Sequence, residues 1–462
     1  MADTPDFFRN RLDQMIDLRH PLAQLASRLP WQELEAAVAH RFARQAKAGK
    51  KVKDMDLFGP VTQYVGGGVS KAGRPRLPFR LMISLLYLKH AYDESDEGVV
   101  ARWGETPTWQ YFSGMDYFEH RLPCDASLIS RFRKTLGEEG VEELLAQTIN
   151  AGYQLRLITP ADLQEILVDS TVQAKAIAYP TDTRLLEVTR LKLVGLAERL
   201  NVALKQTYAK EAKALTHKAS GYARARQFKR LMRTQRRYRT VVGRLMRDLR
   251  RKANTLFLNA VERRVLDETM DKASRILAQT ASRKASRDKL YAWHAPEVSC
   301  IGKGKARQPY EFGVKAGIAV TMKQNFIVGA RAFHGNPYDG HTLREQIEQA
   351  TILMQDIRHD GQAVAPKAVY TDLGYRGVDA EVPQVSVCHR GKKKRLTQWQ
   401  LKHLPRRQAI EPIIGHLKSD HRMDRCHLRG ALGDKLHTVL CAAGYNIRWL
   451  LRRIAAAPNA LA

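Results

Sequence analysis

The chain has 462 residues, 44% of them apolar, enough for a sizeable core and for roughly two to four domains. Lysine and arginine outnumber aspartate and glutamate by 77 to 47, a formal charge of +30, and binding a polyanion is the simplest use of that imbalance. No apolar run approaches the roughly 20 residues needed to span a bilayer, Met1–Asp6 lacks a signal-peptide pattern, and Cys124, Cys300, Cys388, Cys426 and Cys441 are too scattered for a disulfide framework or a zinc knuckle, so the expected setting is cytoplasmic, with no membrane partner.

Residues 1–155 read as a helical domain. The run Pro78–Lys89 predicts a buried helix, Glu97–Trp103 a second, and Asp125 caps a third through Ile129, Phe132 and Leu136. Short helices, polar turns and Arg131, Arg133 and Lys134, expected to be exposed, suit a helix-turn-helix style DNA reader. A small helical dimerisation domain fits the same pattern.

Residues 156–180 begin a second region, where Ile166-Leu167-Val168 predicts a short buried strand ending at Asp169. The next strand-like runs, Tyr310–Thr321 and Asn325–Phe333, come so much later that 181–295 must be an insertion. It is helical by pattern: Phe228, Leu231, Gln235, Tyr238, Val242, Leu245 and Leu249 alternate steps of three and four. Between residues 205 and 290 there are 25 Lys and Arg against 7 Asp and Glu, and 25 − 7 = +18 is more than half of the chain's net charge. A single-signed surface beside a heptad-like seam predicts a helical hairpin, packed on itself or on a second subunit, whose outer face follows phosphates.

Residues 296–455 supply the rest of an α/β region. The runs Tyr310–Thr321 and Asn325–Phe333 predict a hairpin turned near Lys323–Asn325, followed by a helix from Thr342 to about Ile357. Ala368-Val369-Tyr370 predicts a strand leading to Asp372, and Gly374 permits a tight exit. After a strand at Val385–Val387 come a basic loop, Lys392, Lys393, Lys394 and Arg395, and Trp399, which either stacks on a displaced base or sits in the core. Arg407, Glu411 and Lys418 share one helical face; an ordinary surface ion-pair stripe has the same spacing. Pro412 either falls in the first turn of that helix or kinks it. His416, His421, Cys426 and His427 fit no common zinc spacing and read as phosphate contacts or bystanders.

Singly, Asp169, Asp372 and Glu411 are weak signals, since an aspartate at a strand end is most often a turn former or cap. Together, three carboxylates suit two hard divalent cations, magnesium or manganese, and such a pair hydrolyses phosphodiesters by in-line displacement.

Ile410-Glu411-Pro412-Ile413-Ile414-Gly415-His416-Leu417-Lys418, with Arg407 before it, resembles the third-acid signature of bacterial insertion-sequence transposases of the insertion-sequence-five type, which are DDE enzymes. Asp372-Leu373-Gly374-Tyr375 resembles their second-acid motif and Val168-Asp169-Ser170-Thr171 their first. Pro309–Gly313, Gly335–His341 and the stretch Arg74–Gly114 resemble further family segments, so the likeness spans most of the chain. Leu404 stands where the family often has a tyrosine.

The resemblance implies an RNase H-like catalytic core, a mixed sheet flanked by helices, interrupted by the helical insertion and preceded by an all-helical DNA-end-binding domain. It implies a transposase that binds the terminal inverted repeats of its element, cleaves the ends and joins the 3′ hydroxyls to target DNA, acting as a homodimer near the nucleoid. Asp169, Asp372 and Glu411 would hold two Mg²⁺ ions, with Mn²⁺ as a substitute. Arg407 and Lys418 would position phosphates or terminal bases, and Lys392–Arg395 would neutralise backbone charge. Two alternatives remain open: a DNA-binding repressor or architectural protein derived from such an enzyme, and an RNase H-like nuclease without strand transfer.

Overall fold

The computed structural model describes residues 10–43, 50–56, 59–65, 75–282, 289–302 and 309–456. Contacts divide them into two units: one holds the chain up to Gln173, Lys315–Phe333 and everything from Pro337, and the other holds Ala174–Val314 with His334–Asn336.

The first unit opens with helices α1 (Pro21–Arg28), α2 (Trp31–Ala39), α3 (Phe79–Ala91), α4 (Asp96–Glu105), α5 (Pro107–Phe112) and α6 (Ala126–Gln154). Every residue of α3 from Leu81 to Ala91 is buried, as a helix apolar on all sides requires. The α6 helix starts where expected, the Asp125 carboxylate accepting a bond from the Ser127 amide at 2.9 Å, and it kinks at Gly137, where φ is 67°. Arg133 corrects the sequence reading, because it is 2% exposed rather than on the surface. It lies beside Phe132 on the inward face, and its guanidinium donates to both oxygens of Asp96 at 3.1 and 2.9 Å while Lys89 binds the same carboxylate. Burial works against the Asp96 charge, but the Arg133 hydrogen bonds and the two cations outweigh it and hold the carboxyl below its usual range.

The insertion forms the second unit's helices: α7 (Asp182–Arg199), α8 (Ala209–Arg224), α9 (Phe228–Ala253) and α10 (Ala260–Ala281). They enclose a core of their own that includes Leu186, Leu193, Tyr238, Val242, Leu245, Leu249 and Ile276. The predicted seam is buried from Tyr238 onward, whereas Phe228 is 60% exposed, so a bundle replaces the expected hairpin. Opposite the seam, Arg236, Arg244, Arg247 and Arg251 are exposed at near-helical spacing.

The sheet strands are β1 (Glu165–Ala174), β2 (Ser299–Gly302), β3 (Tyr310–Thr321), β4 (Ile327–Phe333), β5 (Ala368–Tyr370) and β6 (Ser386–Cys388). In the first unit their order is β6-β5-β1-β3-β4, with β5 parallel to both β1 and β6 and β4 antiparallel to β3. In the second unit β2 pairs antiparallel with the start of β3. The predicted hairpin is β3–β4, with Asn325 at φ 56° in its turn. Asp169 does not end its strand as expected: β1 runs on to Ala174, and Val172 and Gln173 are buried, because pairing with β3 continues past the acid.

Helices α11 (Asp339–Leu353), α12 (Gln398–His403), α13 (Ile410–Ser419) and α14 (Gly430–Ala456) complete the first unit. Two buried amides dock helices onto β4. Asn446 of α14 accepts from the Ile327 amide at 3.1 Å and donates to its carbonyl at 2.9 Å, and Gln349 of α11 does the same at Ala330, at 3.0 and 3.2 Å. An edge strand's unpaired backbone groups are thereby satisfied from side chains. One hydrophobic core joins α3, α6 and α14 to β1, β3 and β4, so no separate N-terminal domain closes near residue 155. Replacing Asp96 with alanine leaves two buried cations without their carboxylate and is expected to cost about 3–5 kcal/mol, read from the midpoint of urea unfolding.

Candidate active site

The β1–β5 register builds the site. Glu165, Ile166 and Leu167 pair with Ala368, Val369 and Tyr370, and Asp169 and Asp372 each follow two residues beyond the last of these pairs, near enough for the Asp372 charge to act on Asp169. Asp372 leaves β5 through a turn in which its Oδ1 accepts from the Gly374 amide at 2.8 Å.

Glu411 arrives from another direction. A 3-10 turn, Leu404–Ala409, runs into α13, and Pro412 falls in the first helical turn, where its missing N–H costs nothing. Arg406 fastens this turn to the β3–β4 hairpin through the carbonyls of Met322 and Lys323, at 2.7 and 2.8 Å. Arg407 is thereby held between two acids, with Nη1 3.5 Å from Asp169 Oδ2 and Nη2 3.4 Å from Glu411 Oε1. The Asp169 and Arg407 side chains are each 18% exposed, while that of Glu411 is 63% exposed and faces solvent.

A fourth carboxylate, Asp339, was given no role by the sequence pattern. It is the first residue of α11, and its Oδ1 accepts from the Ser170 hydroxyl at 2.8 Å and from Lys315 Nζ at 2.9 Å. Lys315 is 9% exposed on β3 and also donates to the Pro337 carbonyl. Gly374 packs between two of the acids: a Cβ there would lie 2.9 Å from Asp372 Oδ1 and 3.2 Å from Asp339 Oδ2. An acid opening a helix reads as a dipole-complementing cap, which hides its second role. The available signal is Lys315, a cation inside a predicted apolar strand that needs a partner.

Burial pushes the Asp169 carboxyl up to about 6, and the charges of Asp372 and Asp339 add to that against a bond from the Ser170 amide and the Arg407 cation. The Tyr375 hydroxyl is also raised, first by burial and then by Asp169, Asp339 and Asp372. Carboxylate oxygens gathered at one place suit hard divalent cations. Among the described residues, these oxygens do not all fall within 4.8 Å of one another, and Arg407 spans Asp169 and Glu411. A divalent ion held by these residues would take over the charge compensation that Arg407 now supplies.

The other expected contacts divide. Lys418 is half-buried two turns along α13 from Glu411. Lys392 is tied to Asp379 and the Val387 carbonyl rather than to the acids, within a 3-10 helix, Arg390–Arg395, where a loop was expected. Lys393, Lys394 and Arg395 are exposed on it. Trp399 is 48% exposed and not core; its ring packs on His403 and its Nε1 donates to Glu165 Oε1 at 2.8 Å. Arg131 is exposed on α6, bonded to Ser127 at 3.0 Å.

Residues 54–135 match the family described as transposase domain (DUF772), and residues 378–451 match the transposase DDE domain. A protein of Rhizobium meliloti described as an uncharacterized protein, ORF8 in the nfe locus, is 40% identical over 223 residues, 48% of this chain and 95% of that protein. The chain belongs to the insertion-sequence DDE transposases. No solved structure matches it. Glu411 and Arg407 lie inside the matched DDE stretch, and Asp169 and Asp372 precede it. No helix among the described residues is long and apolar enough to cross a membrane.

The raised Asp169 carboxyl has a consequence for stability. The folded state holds this proton more tightly than the unfolded chain, so its contribution is full below the ordinary carboxylate value and is lost as pH rises through about 6. Without divalent ions, the protein is expected to lose up to about 3 kcal/mol between roughly pH 4 and 7 through this group. Urea unfolding across that range should show Asp169→Asn abolishing that part of the dependence.

Proposed function

We propose that the chain binds the terminal inverted repeats of its own element, hydrolyses the element's ends and joins the 3′ hydroxyls to target DNA, working on an RNase H-like core. The observation that carries this reading is that Asp169 and Asp372 each lie two residues past the β1–β5 pairing, with Arg407 linking Asp169 to Glu411.

Asp169, Asp372 and Glu411 are the ligands this reading assigns to two magnesium ions, with manganese able to substitute. When bound, the ions lower the pKa of an attacking water or hydroxyl and stabilise the departing oxygen. Asp169 must give up its proton before it ligates, so an ion entering at neutral pH meets a carboxylate already mostly ionised. Arg407, released from the acids, is a fork-shaped donor suited to a phosphate next to the cut. Lys418 lies on the same helix and adds charge further along the strand. Asp339 and Lys315 hold Ser170, and with it the β1 backbone at Asp169, against the repulsion between the acids.

The α9 stripe of Arg236, Arg244, Arg247 and Arg251, and the exposed Lys393, Lys394 and Arg395, are surfaces for DNA backbone. Arg131 and Lys134 are the α6 side chains of that basic trio left exposed to a DNA end, since Arg133 is committed to Asp96. Joining two ends calls for two copies of the chain, hence a homodimer in the paired complex.

A labelled duplex carrying the element's terminal repeat, incubated with plasmid and magnesium, tests the reaction. The native chain should produce joined product, and Asp372→Asn and Glu411→Gln should each lower its rate by on the order of 1,000-fold, several kcal/mol of lost charge stabilisation, while still binding the duplex. Salt-sensitive binding with no cleavage by the native chain would replace this reading with that of a DNA-binding descendant. Neutralising Arg236, Arg244 and Arg247 together as glutamines should reduce the log–log salt slope of DNA affinity by up to about 3, each phosphate contact contributing about 0.9; an unchanged slope would remove α9 from the interface.

A further inference from the structure

A second set of ligating groups, independent of the transposition reading, lies inside the first unit. His90 of α3 and His437 and Cys441 of α14 are 1, 5 and 0% exposed, and one ligand atom from each falls within 4.8 Å of the others. His437 and Cys441 are one helical turn apart and share a face of α14. Cys441 Sγ is 3.7 Å from His90 Nδ1, and the two imidazole rings meet edge to face at 5.5 Å.

The surroundings prepare these groups for a cation. His437 Nε2 bonds to the Arg422 carbonyl at 2.8 Å, which makes that nitrogen the protonated one and leaves a lone pair on Nδ1. Metal-ligating histidines are commonly oriented in this way, by a backbone carbonyl on the opposite ring nitrogen. His421 Nδ1 lies 2.9 Å from the His90 carbonyl, fixing α3 at that residue. Burial lowers His437 to about 3 and His90 well below its ordinary range, so both rings are neutral and can ligate. Cys426 is fully buried but outside this group, its thiol facing the carbonyls of Leu428 and Gly433. At Gly444, a Cβ would lie 2.5 Å from the His90 carbonyl carbon, so glycine is what lets α14 approach α3 at this level.

We propose that His90, His437 and Cys441 form a structural site for a divalent transition ion, zinc by preference, that fastens α3 to α14. One thiolate and two imidazoles are sulfur and nitrogen donors that suit zinc, while oxygen-seeking magnesium is excluded. The Cys441 thiol releases its proton to solvent on binding, and the thiolate offsets half the charge of the ion. The ligands come from two helices far apart in the sequence, which is why no contiguous spacing announces them. The sequence grouping of His416, His421, Cys426 and His427 does not form the site: His416 is exposed on Asp420 and His421 supports the backbone.

The full chain, purified without chelator, is expected to carry about one zinc per chain by mass spectrometry of metals. Reconstituted with cobalt(II), it should show thiolate-to-cobalt charge transfer and tetrahedral d–d bands, which the all-carboxylate site cannot give. Cys441→Ser and His437→Gln should weaken metal retention on the order of 10- to 100-fold, and Asp372→Asn should leave both signals intact. Absence of stoichiometric zinc and of the charge-transfer band in the native chain overturns the site, and this readout needs no variant to fold. Retention of both signals in Cys441→Ser and His437→Gln overturns the ligand assignment. Neither outcome bears on strand transfer, so the two readings fail separately.

Discussion

Asp169 and Asp372 each lie two residues past the pairing of two parallel strands, Asp169 largely withdrawn from water, and their like charges repel. The surrounding structure supplies opposite charge and stiffness to hold them there. Arg407 spans Asp169 and Glu411, Lys315 and Ser170 anchor Asp339, and Gly374 keeps the space between Asp339 and Asp372 free of a side chain. On the proposed reading, the Arg407 guanidinium is the cation whose charge compensation bound metal ions would take over.

The scaffold is rigid because its edge and its helices are joined by buried polar contacts. Asn446 and Gln349 complete the hydrogen bonding of β4, and the Arg406 fork ties the Glu411 segment to the β3–β4 turn. The helices before the sheet belong to the same core, with α3 lying against α14. The insertion has a separate core, so its basic surface can vary while the strands that carry the acids keep their register.

Much of this was legible in the chain. The apolar run of α3, the Asp125 cap, the β3–β4 hairpin and the acid after β5 follow from periodicity and local chemistry, which act over a few residues. Asp169 was found but its strand was cut short, because an acid inside a strand looks like its end unless the neighbouring strand is known. Arg133 was misassigned to the surface because its partner, Asp96, lies 37 positions away in the sequence. Trp399 proved exposed because Glu165, more than 200 positions earlier, binds its indole N–H.

The sequence by itself determined the three acids, the basic insertion, the helical beginning and, through the resembling motifs, the family. Only tertiary structure decided that Asp339 and Lys315 join the acids, that Arg407 bridges two of them, and that His90 meets His437 and Cys441. The physical reason is range: helix periods, caps and turns are written in neighbouring residues, whereas electrostatic compensation and ligand geometry depend on which distant segments the packed core brings within a few ångströms.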